Sequence, residues 1–182
     1  LKTSSYTPTN TSAEHMLAFY KPWQEVAEEK FDGLIVTGAP VEEMDFEDVD
    51  YWPELTEILD WSKSNVFHTF NICWGGQAAL YHHYGVPKHD IGKKLSGVFE
   101  HRITTPHSDL LRGFPDAFPV PVSRYTETHR GDVERHPGLR ILAESDDAGL
   151  CLVEDMNLNQ VYMFNHLEYD NDTLGEEYRR DI

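Results

Sequence analysis

A strand that ends in a cysteine and turns directly into a helix constrains this chain more than any other feature. Residues 66–72, VFHTFNI, are rich in β-branched and aromatic side chains and predict a strand. Cys73 follows, and Gly75 and Gly76 precede a helix-forming segment over residues 77–84. Glycines at such a turn permit a sharp change of direction and close packing of the helix on the strand. The pattern is that of a nucleophile elbow, which is typical of α/β folds.

The position of Cys73 favours a reactive thiol. At the N-terminus of a helix, unpaired backbone N–H groups and the helix dipole stabilise negative charge. The thiolate is the nucleophilic form of cysteine, so this position favours attack on a substrate. The alternative interpretation is a buried cysteine at the end of a core strand, and only a nearby base decides between the two.

His166 is the best candidate for that base. His82 and His83 lie too far along the elbow helix to turn back on the cysteine. His166 directly follows a predicted strand over residues 160–165, at the strand end where α/β sheets place active-site groups. Glu168 follows two residues later and projects to the same side of an extended chain. Cys73, His166 and Glu168 therefore predict a Cys-His-Glu triad; the alternative is a loop histidine beside a surface carboxylate.

The order of the predicted elements indicates the fold class. Before residue 85, segments typical of helix, strand, helix, strand and helix follow one another, and this order predicts an α/β fold with a mainly parallel sheet and helices on both faces. The later half predicts shorter strands and a last helix from residue 173. The strands are expected over residues 94–100, 119–125, 139–143, 149–153 and 160–165. We expect one domain over residues 1–182.

Charge and cysteine content exclude several classes of function. The net charge of −17 argues against nucleic acid and anionic membranes as partners, because both repel an acidic surface. Two cysteines, Cys73 and Cys151, make no disulfide framework. With no signal peptide and no long apolar run, these features predict a cytoplasmic protein. The spacing of His82, His83 and His89 fits no standard metal site, so no metal is expected.

Six motifs in this order resemble one enzyme family. They are TGAP at 37–40, DYWP at 50–53, ICWG at 72–75, KLSGVFEH at 94–101, SRY at 123–125 and HLEYD at 166–170. Together they are similar to homoserine O-acyltransferases of the MetA type, over nearly the whole chain. The resemblance implies the flavodoxin-like fold of the class I glutamine-amidotransferase-like superfamily. It also implies an enzyme of methionine biosynthesis that needs no cofactor and uses acetyl-CoA as a co-substrate.

The resemblance implies catalytic roles for the predicted triad. Cys73 would carry the acyl group as a thioester, His166 would act as the general base, and Glu168 would complete the triad. The backbone N–H groups of Trp74 and of Ala39 are expected to stabilise the oxyanion that forms during acyl transfer.

Substrate contacts are implied for residues elsewhere in the chain. Lys94, Ser123 and Arg180 match positions that contact substrate in the family. Glu177 lies one helical turn before Arg180 and is expected to orient it. The expected partners are the small molecules homoserine and acyl-CoA, and the family precedent implies a homodimer.

Glu42 falls where the family determines its acyl donor. The resemblance implies that enzymes with glutamate at this position use acetyl-CoA and that enzymes with glycine use succinyl-CoA. A carboxylate in the acyl pocket fills space and repels the free carboxylate of a succinyl group. The resemblance thus implies a homoserine O-acetyltransferase, which we expect to work by a ping-pong mechanism. A succinyltransferase, and an amide hydrolase like the glutamine amidotransferases, are the alternatives.

Two departures from the family pattern stand out. Leu167 occupies the place where the family usually has proline, between the histidine and the glutamate. Family members also have a preceding segment that carries the first strand of the sheet, and a C-terminal extension. Neither is recognised in residues 1–182, so we expect this chain to be a fragment that lacks both.

Overall fold

A computed structural model describes residues 1–3 and 12–181, so most of the loop predicted over residues 2–10 lies outside the described residues. The helices are α1 (Ala13–Phe19), α2 (Trp52–Asn65), α3 (Trp74–Tyr84), α4 (Arg130–Val133) and α5 (Thr173–Asp181). The strands are β1 (Phe31–Val36), β2 (Val66–Ile72), β3 (His89–Ile103), β4 (Ala117–Glu127), β5 (Leu139–Ser145), β6 (Gly149–Asp155) and β7 (Gln160–Met163). Within the described residues, none of these helices combines the length and apolar character needed to cross a membrane.

All seven strands belong to one sheet, in the order β1-β2-β7-β6-β5-β3-β4. The pairs β1–β2 and β2–β7 are parallel. The pairs β7–β6, β6–β5, β5–β3 and β3–β4 are antiparallel. The α/β class is therefore confirmed, but the prediction of a mainly parallel sheet is wrong for the described strands. The reason lies in the connections: α2 carries the chain from β1 to a parallel β2, whereas short turns join β5, β6 and β7.

The helices that cover the sheet pack on one face. Leu59 of α2 and Leu80 of α3 belong to one core cluster, which takes in Tyr162 of β7. Val161 and Met163 belong to a second cluster, as the alternation of side chains along a strand requires. In the described residues, strands and one 3₁₀ turn alone form this second cluster, so the predicted helices on both faces are not found there. The sheet covers that face itself, through residues of the β3–β4 hairpin such as Phe118 and Val120.

The predicted element boundaries hold best around the elbow. Strand β2 spans the predicted residues, and α3 begins at Trp74, three residues earlier than expected. The sequence predicts a first helix from residue 13, with a break at Pro22 and a continuation to residue 30. The break is found, but the helical segments are shorter: α1 ends at Phe19, and a separate 3₁₀ helix spans Trp23–Val26. Pro22 lies between them, and proline has no N–H to continue a helical hydrogen-bond ladder.

Helix α3 approaches the end of β1 at a position that has no room for a side chain. A Cβ on Gly75 would lie 2.8 Å from the carbonyl oxygens of both Val36 and Thr37. Because these are backbone atoms, Gly75→Ala has to push α3 away from β1. We expect it to lower the free energy of unfolding by about 1–3 kcal/mol, measured by urea denaturation.

Gly131→Ala is the matched control for this substitution. Gly131 lies in α4, and a Cβ there would meet no atom within 4 Å. Its free energy of unfolding should stay near that of the unsubstituted protein. Equal losses in the two variants would contradict the close approach of α3 to β1.

Candidate active site

Cys73 lies in a backbone conformation that side chains rarely adopt. Its φ of 53° and ψ of −124° turn the chain from β2 directly into α3. The Cys73 N–H donates to the Met163 carbonyl at 2.6 Å, and its carbonyl accepts from the N–H groups of Gly76 and Gln77 at 2.9 and 3.2 Å. A non-glycine residue with positive φ persists only where its surroundings impose it. The structure thus has the nucleophile elbow that the sequence predicts.

Glycines on both sides make space for this turn. A Cβ on Gly38 would lie 3.1 Å from Cys73 Cβ and 3.4 Å from Cys73 Sγ. A Cβ on Gly76 would lie 3.3 Å from the carbonyl oxygens of Asn71 and Met163. The backbone of the 37–40 loop therefore lies directly against the sulfur, where its N–H groups can face a substrate.

His166 and Glu168 meet at this sulfur. The His166 N–H donates to the Pro121 carbonyl at 2.9 Å, which fixes the residue to β4. Its Nδ1 lies 2.7 Å from Glu168 Oε1, and its ring hydrogen-bonds Cys73. Leu167, where the family usually has proline, is 40% exposed and does not prevent this contact. The structure thus brings the three predicted residues together.

Their contacts set the charge of the imidazole. Burial alone lowers the pKa of His166, but the hydrogen bonds with Cys73 and Glu168 outweigh it and raise this pKa to about 9. The ring is therefore protonated at neutral pH, between a sulfur and a carboxylate. A cysteine with an adjacent base is the arrangement that nucleophilic catalysis requires.

Tyr169 links the imidazole to helix α5, and sequence reasoning gave it no role. Its ring stacks on His166, with centroids 4.2 Å apart and planes 18° from parallel. Its hydroxyl donates to Glu177 Oε2. Burial and the adjacent Glu177 carboxylate raise the pKa of Tyr169 far above neutral, so the hydroxyl stays a donor. Its place in the HLEYD motif was the available signal.

Glu177 holds the cationic side of the cleft together. Lys94 Nζ lies 3.7 Å and an Arg180 nitrogen 3.3 Å from Glu177 Oε1, so Glu177 orients both cations. Burial alone raises the pKa of Glu177, but the Tyr169 hydroxyl and the Lys94 charge outweigh burial and keep this pKa below its usual value. Ser123 is buried beside this group. Lys94 and Arg180 are thus oriented cations in the cleft, and such cations suit an anionic substrate group.

Glu42 is held by the backbone of β4. The Tyr125 N–H donates to Glu42 Oε2 at 2.9 Å. Burial raises the pKa of Glu42, while the hydrogen bonds from the Tyr125 and Thr126 N–H groups oppose that shift. The carboxylate therefore has a defined direction inside the protein, which a surface carboxylate would lack.

One cleft of about 660 Å³ unites these groups. Its lining includes nine of the ten predicted site residues: Ala39, Glu42, Cys73, Lys94, Ser123, His166, Glu168, Glu177 and Arg180. Trp74 is the exception, since its side chain is 2% exposed and packs in the core. Trp74 is the first residue of α3, so its backbone N–H has no hydrogen-bond partner within the helix. Only that N–H is available for the predicted oxyanion role.

Two groups of side chains have the composition of metal sites. Among the described residues they are Asp60, His82 and His83, and separately His89, His129 and Asp132, so the three histidines considered from sequence do not form one group. The His82 Nε2 lies 3.0 Å from an Asp60 oxygen, and the His89 Nε2 lies 2.7 Å from an Asp132 oxygen. In each group one imidazole nitrogen thus contacts a carboxylate, and neither group lines the cleft.

Two solved structures with a similar architecture are described as glutamine amidotransferases. One from Thermotoga maritima is 13% identical, with a TM-score of 0.63 over 81% of this chain and 62% of that one. One from Methylobacillus flagellatus is 17% identical, with a TM-score of 0.65 over 82% of this chain and 56% of that one. Identities this low show the fold alone. The chain therefore has the α/β fold of these glutamine amidotransferases, with a cysteine at the nucleophile elbow.

Sequence comparison identifies the family. A protein-family model described as homoserine O-succinyltransferase matches residues 1–182. A homoserine O-acetyltransferase of Cereibacter sphaeroides is 53% identical over 100% of this chain and 60% of its own length. One of Allorhizobium ampelinum is 55% identical over 95% of this chain and 56% of its own length. The chain belongs to the homoserine O-succinyltransferase family, and it spans about 60% of the length of the curated relatives it matches.

The raised pKa of His166 should depend on its two partners. In Cys73→Ala the sulfur is gone while burial remains, so we expect the pKa of His166 to fall below its value of about 9. Glu168→Gln should lower it as well. The chemical shifts of the His166 ring, followed by NMR as pH is varied, measure this pKa.

Cys151→Ala is the control for the loss of a thiol. Cys151 is fully buried in the second core cluster and contributes nothing to the pKa of His166. The titration of His166 should be unchanged in this variant. An unchanged titration in Cys73→Ala as well would contradict the contact between ring and sulfur.

Proposed function

We propose that this chain carries the acyl-transfer site of a homoserine O-acetyltransferase. The observation that carries the proposal is the cleft that holds the Cys73, His166 and Glu168 cluster on one side and the Glu42 carboxylate on another. A nucleophile with a protonated base suits transfer of an acyl group through a covalent intermediate. The names of the relatives that are 53–55% identical agree with this reaction.

In the first half-reaction, the Cys73 thiolate attacks the carbonyl carbon of acetyl-CoA. The backbone N–H groups of Trp74 and Ala39 stabilise the resulting oxyanion, and loss of one such donor costs about 10²–10³-fold in rate. The thioester bond to CoA breaks, and the departing sulfur takes the proton held by His166. Acetyl-Cys73 and a neutral imidazole remain.

In the second half-reaction, the homoserine hydroxyl attacks acetyl-Cys73. Neutral His166 accepts the hydroxyl proton, and Glu168 stabilises the imidazolium that forms. Collapse of the intermediate breaks the Cys73 thioester, which yields O-acetylhomoserine and restores the ion pair. Arg180 and Lys94, held by Glu177, bind the anionic groups of the substrates. This order of events requires ping-pong kinetics.

Glu42 supports acetyl rather than succinyl as the acyl group. Its carboxylate is anchored by the Tyr125 N–H and lies in the same cleft as Cys73. A succinyl group would place a second carboxylate in this pocket, where removal from water strengthens the repulsion between like charges. The smaller acetyl group carries no such charge.

Competition between the two donors tests this proposal. With homoserine and equal concentrations of acetyl-CoA and succinyl-CoA, we expect O-acetylhomoserine as the main product, measured by mass spectrometry. Glu42→Gly removes both the charge and the volume of the side chain, so the share of O-succinylhomoserine should rise by tenfold or more, roughly the effect of one charged contact. Glutamine offered to the same enzyme should yield no glutamate.

Glu28→Gly is the matched control. It removes the same charge at an exposed position in a turn outside the cleft. Its product ratio should stay close to that of the unsubstituted protein. A product ratio that is unchanged in Glu42→Gly would contradict the assignment of acetyl-CoA, and a product of neither kind would contradict acyl transfer itself.

A further inference from the structure

The turn that carries Glu42 has little internal support. The Val41 N–H donates to the Ala39 carbonyl at 2.8 Å, and the Met44 N–H donates to the Val41 carbonyl at 3.1 Å. These two hydrogen bonds leave the carbonyl oxygens of Glu42 and Met44 without a backbone donor in the turn. These acceptors need partners from outside the turn, either water or other groups of the protein.

Lys88 supplies that support from a different segment of the chain. It lies between α3 and β3, and its Nζ donates to the carbonyl oxygens of both Glu42 and Met44. The same ammonium lies 4.7 Å above the ring centroid of Phe46. Phe46 follows the turn and is 3% exposed, so it anchors the end of the segment in the core. An ammonium has three donors, and two of them hold this turn.

Contact with the turn also affects the pKa of the Lys88 ammonium. Burial lowers the pKa of Lys88, while the nearby carboxylates of Asp45 and Glu42 oppose that shift. A partly buried ammonium is favourable only when acceptors replace its water. The two carbonyls and the Phe46 ring are such replacements, so the contact stabilises the lysine and the turn together.

We propose that Lys88 is a positioning residue that determines acyl-donor selectivity by holding the backbone of residues 41–44. This inference rests on the proposed function of Glu42. Glu42 is held at both ends: N–H groups of β4 hold its carboxylate, and Lys88 holds its carbonyl. Without Lys88 the turn can move as a whole, and the carboxylate then vacates the acyl pocket for part of the time.

Selectivity, rather than total activity, is the property that should change. Lys88→Met keeps the length of the side chain but has no donor, so we expect the ratio of kcat/KM for acetyl-CoA to kcat/KM for succinyl-CoA to fall by about tenfold, the loss that one charged hydrogen bond produces. The KM for homoserine should be unchanged. Lys88→Arg keeps donors for both carbonyls and should retain most of the selectivity.

A double variant separates positioning from general destabilisation. If Lys88 acts through Glu42, then adding Lys88→Met to Glu42→Gly should leave the donor ratio of Glu42→Gly unchanged. A variant that only unfolds more readily loses activity with both donors in equal proportion. An unchanged donor ratio in Lys88→Met, or an equal further change in the double variant, would overturn the inference.

Hydrogen exchange tests the positioning independently of catalysis. The Met44 N–H is bonded within the turn, so its exchange reports how well the turn is held. Mass-spectrometric exchange over this segment should be faster in Lys88→Met and near normal in Lys88→Arg. If neither donor reacts in the unsubstituted protein, the proposed function fails, whereas unchanged exchange in Lys88→Met removes the positioning role itself.

Discussion

The backbone of Cys73 is the constraint on which the site depends. A non-glycine residue with φ of 53° costs about 1–3 kcal/mol, and the surroundings must impose it. Here hydrogen bonds at both the N–H and the carbonyl of Cys73 hold this conformation. The Met163 carbonyl accepts from the Cys73 N–H, and the Gly76 and Gln77 N–H groups donate to the Cys73 carbonyl. Strand β7 thus holds the turn through Met163 and also leads directly to His166. One strand therefore positions both the sulfur and its base.

A second layer of contacts connects this centre to the substrate side of the cleft. Tyr169 stacks on His166 and donates to Glu177, which holds Lys94 and Arg180. The Tyr169 side chain thereby connects helix α5 to the imidazole of His166. On the opposite side, backbone atoms of β4 hold Glu42. Strand β4 thus contacts both the catalytic group, through His166, and the acyl-pocket carboxylate, through Glu42.

The sequence predicted the parts of this site that follow from local rules. Strand β2, the turn and helix α3 follow from composition and glycine placement, and His166 follows from its position after a strand. Long-range pairing is harder to predict, so the antiparallel half of the sheet was mistaken for part of a mainly parallel one. Lys88 was missed for the same reason, because its partners lie far away in sequence. Tyr169 was missed although His166 and Glu177 lie only three and eight residues away. A lysine gives no local signal that its ammonium meets two carbonyls on a turn 44–46 residues earlier.

The central claim is that the Cys73 sulfur accepts the acyl group before homoserine does. Incubation with acetyl-CoA alone, followed by intact-mass analysis and peptide mapping, tests it directly. We expect one acetyl group on Cys73, and homoserine should remove it. Cys151→Ala should still acquire the group, because burial raises the pKa of the Cys151 thiol to about 11 and keeps it unreactive. An adduct that persists in Cys73→Ala, or a protein that turns over without ever carrying one, would contradict this account.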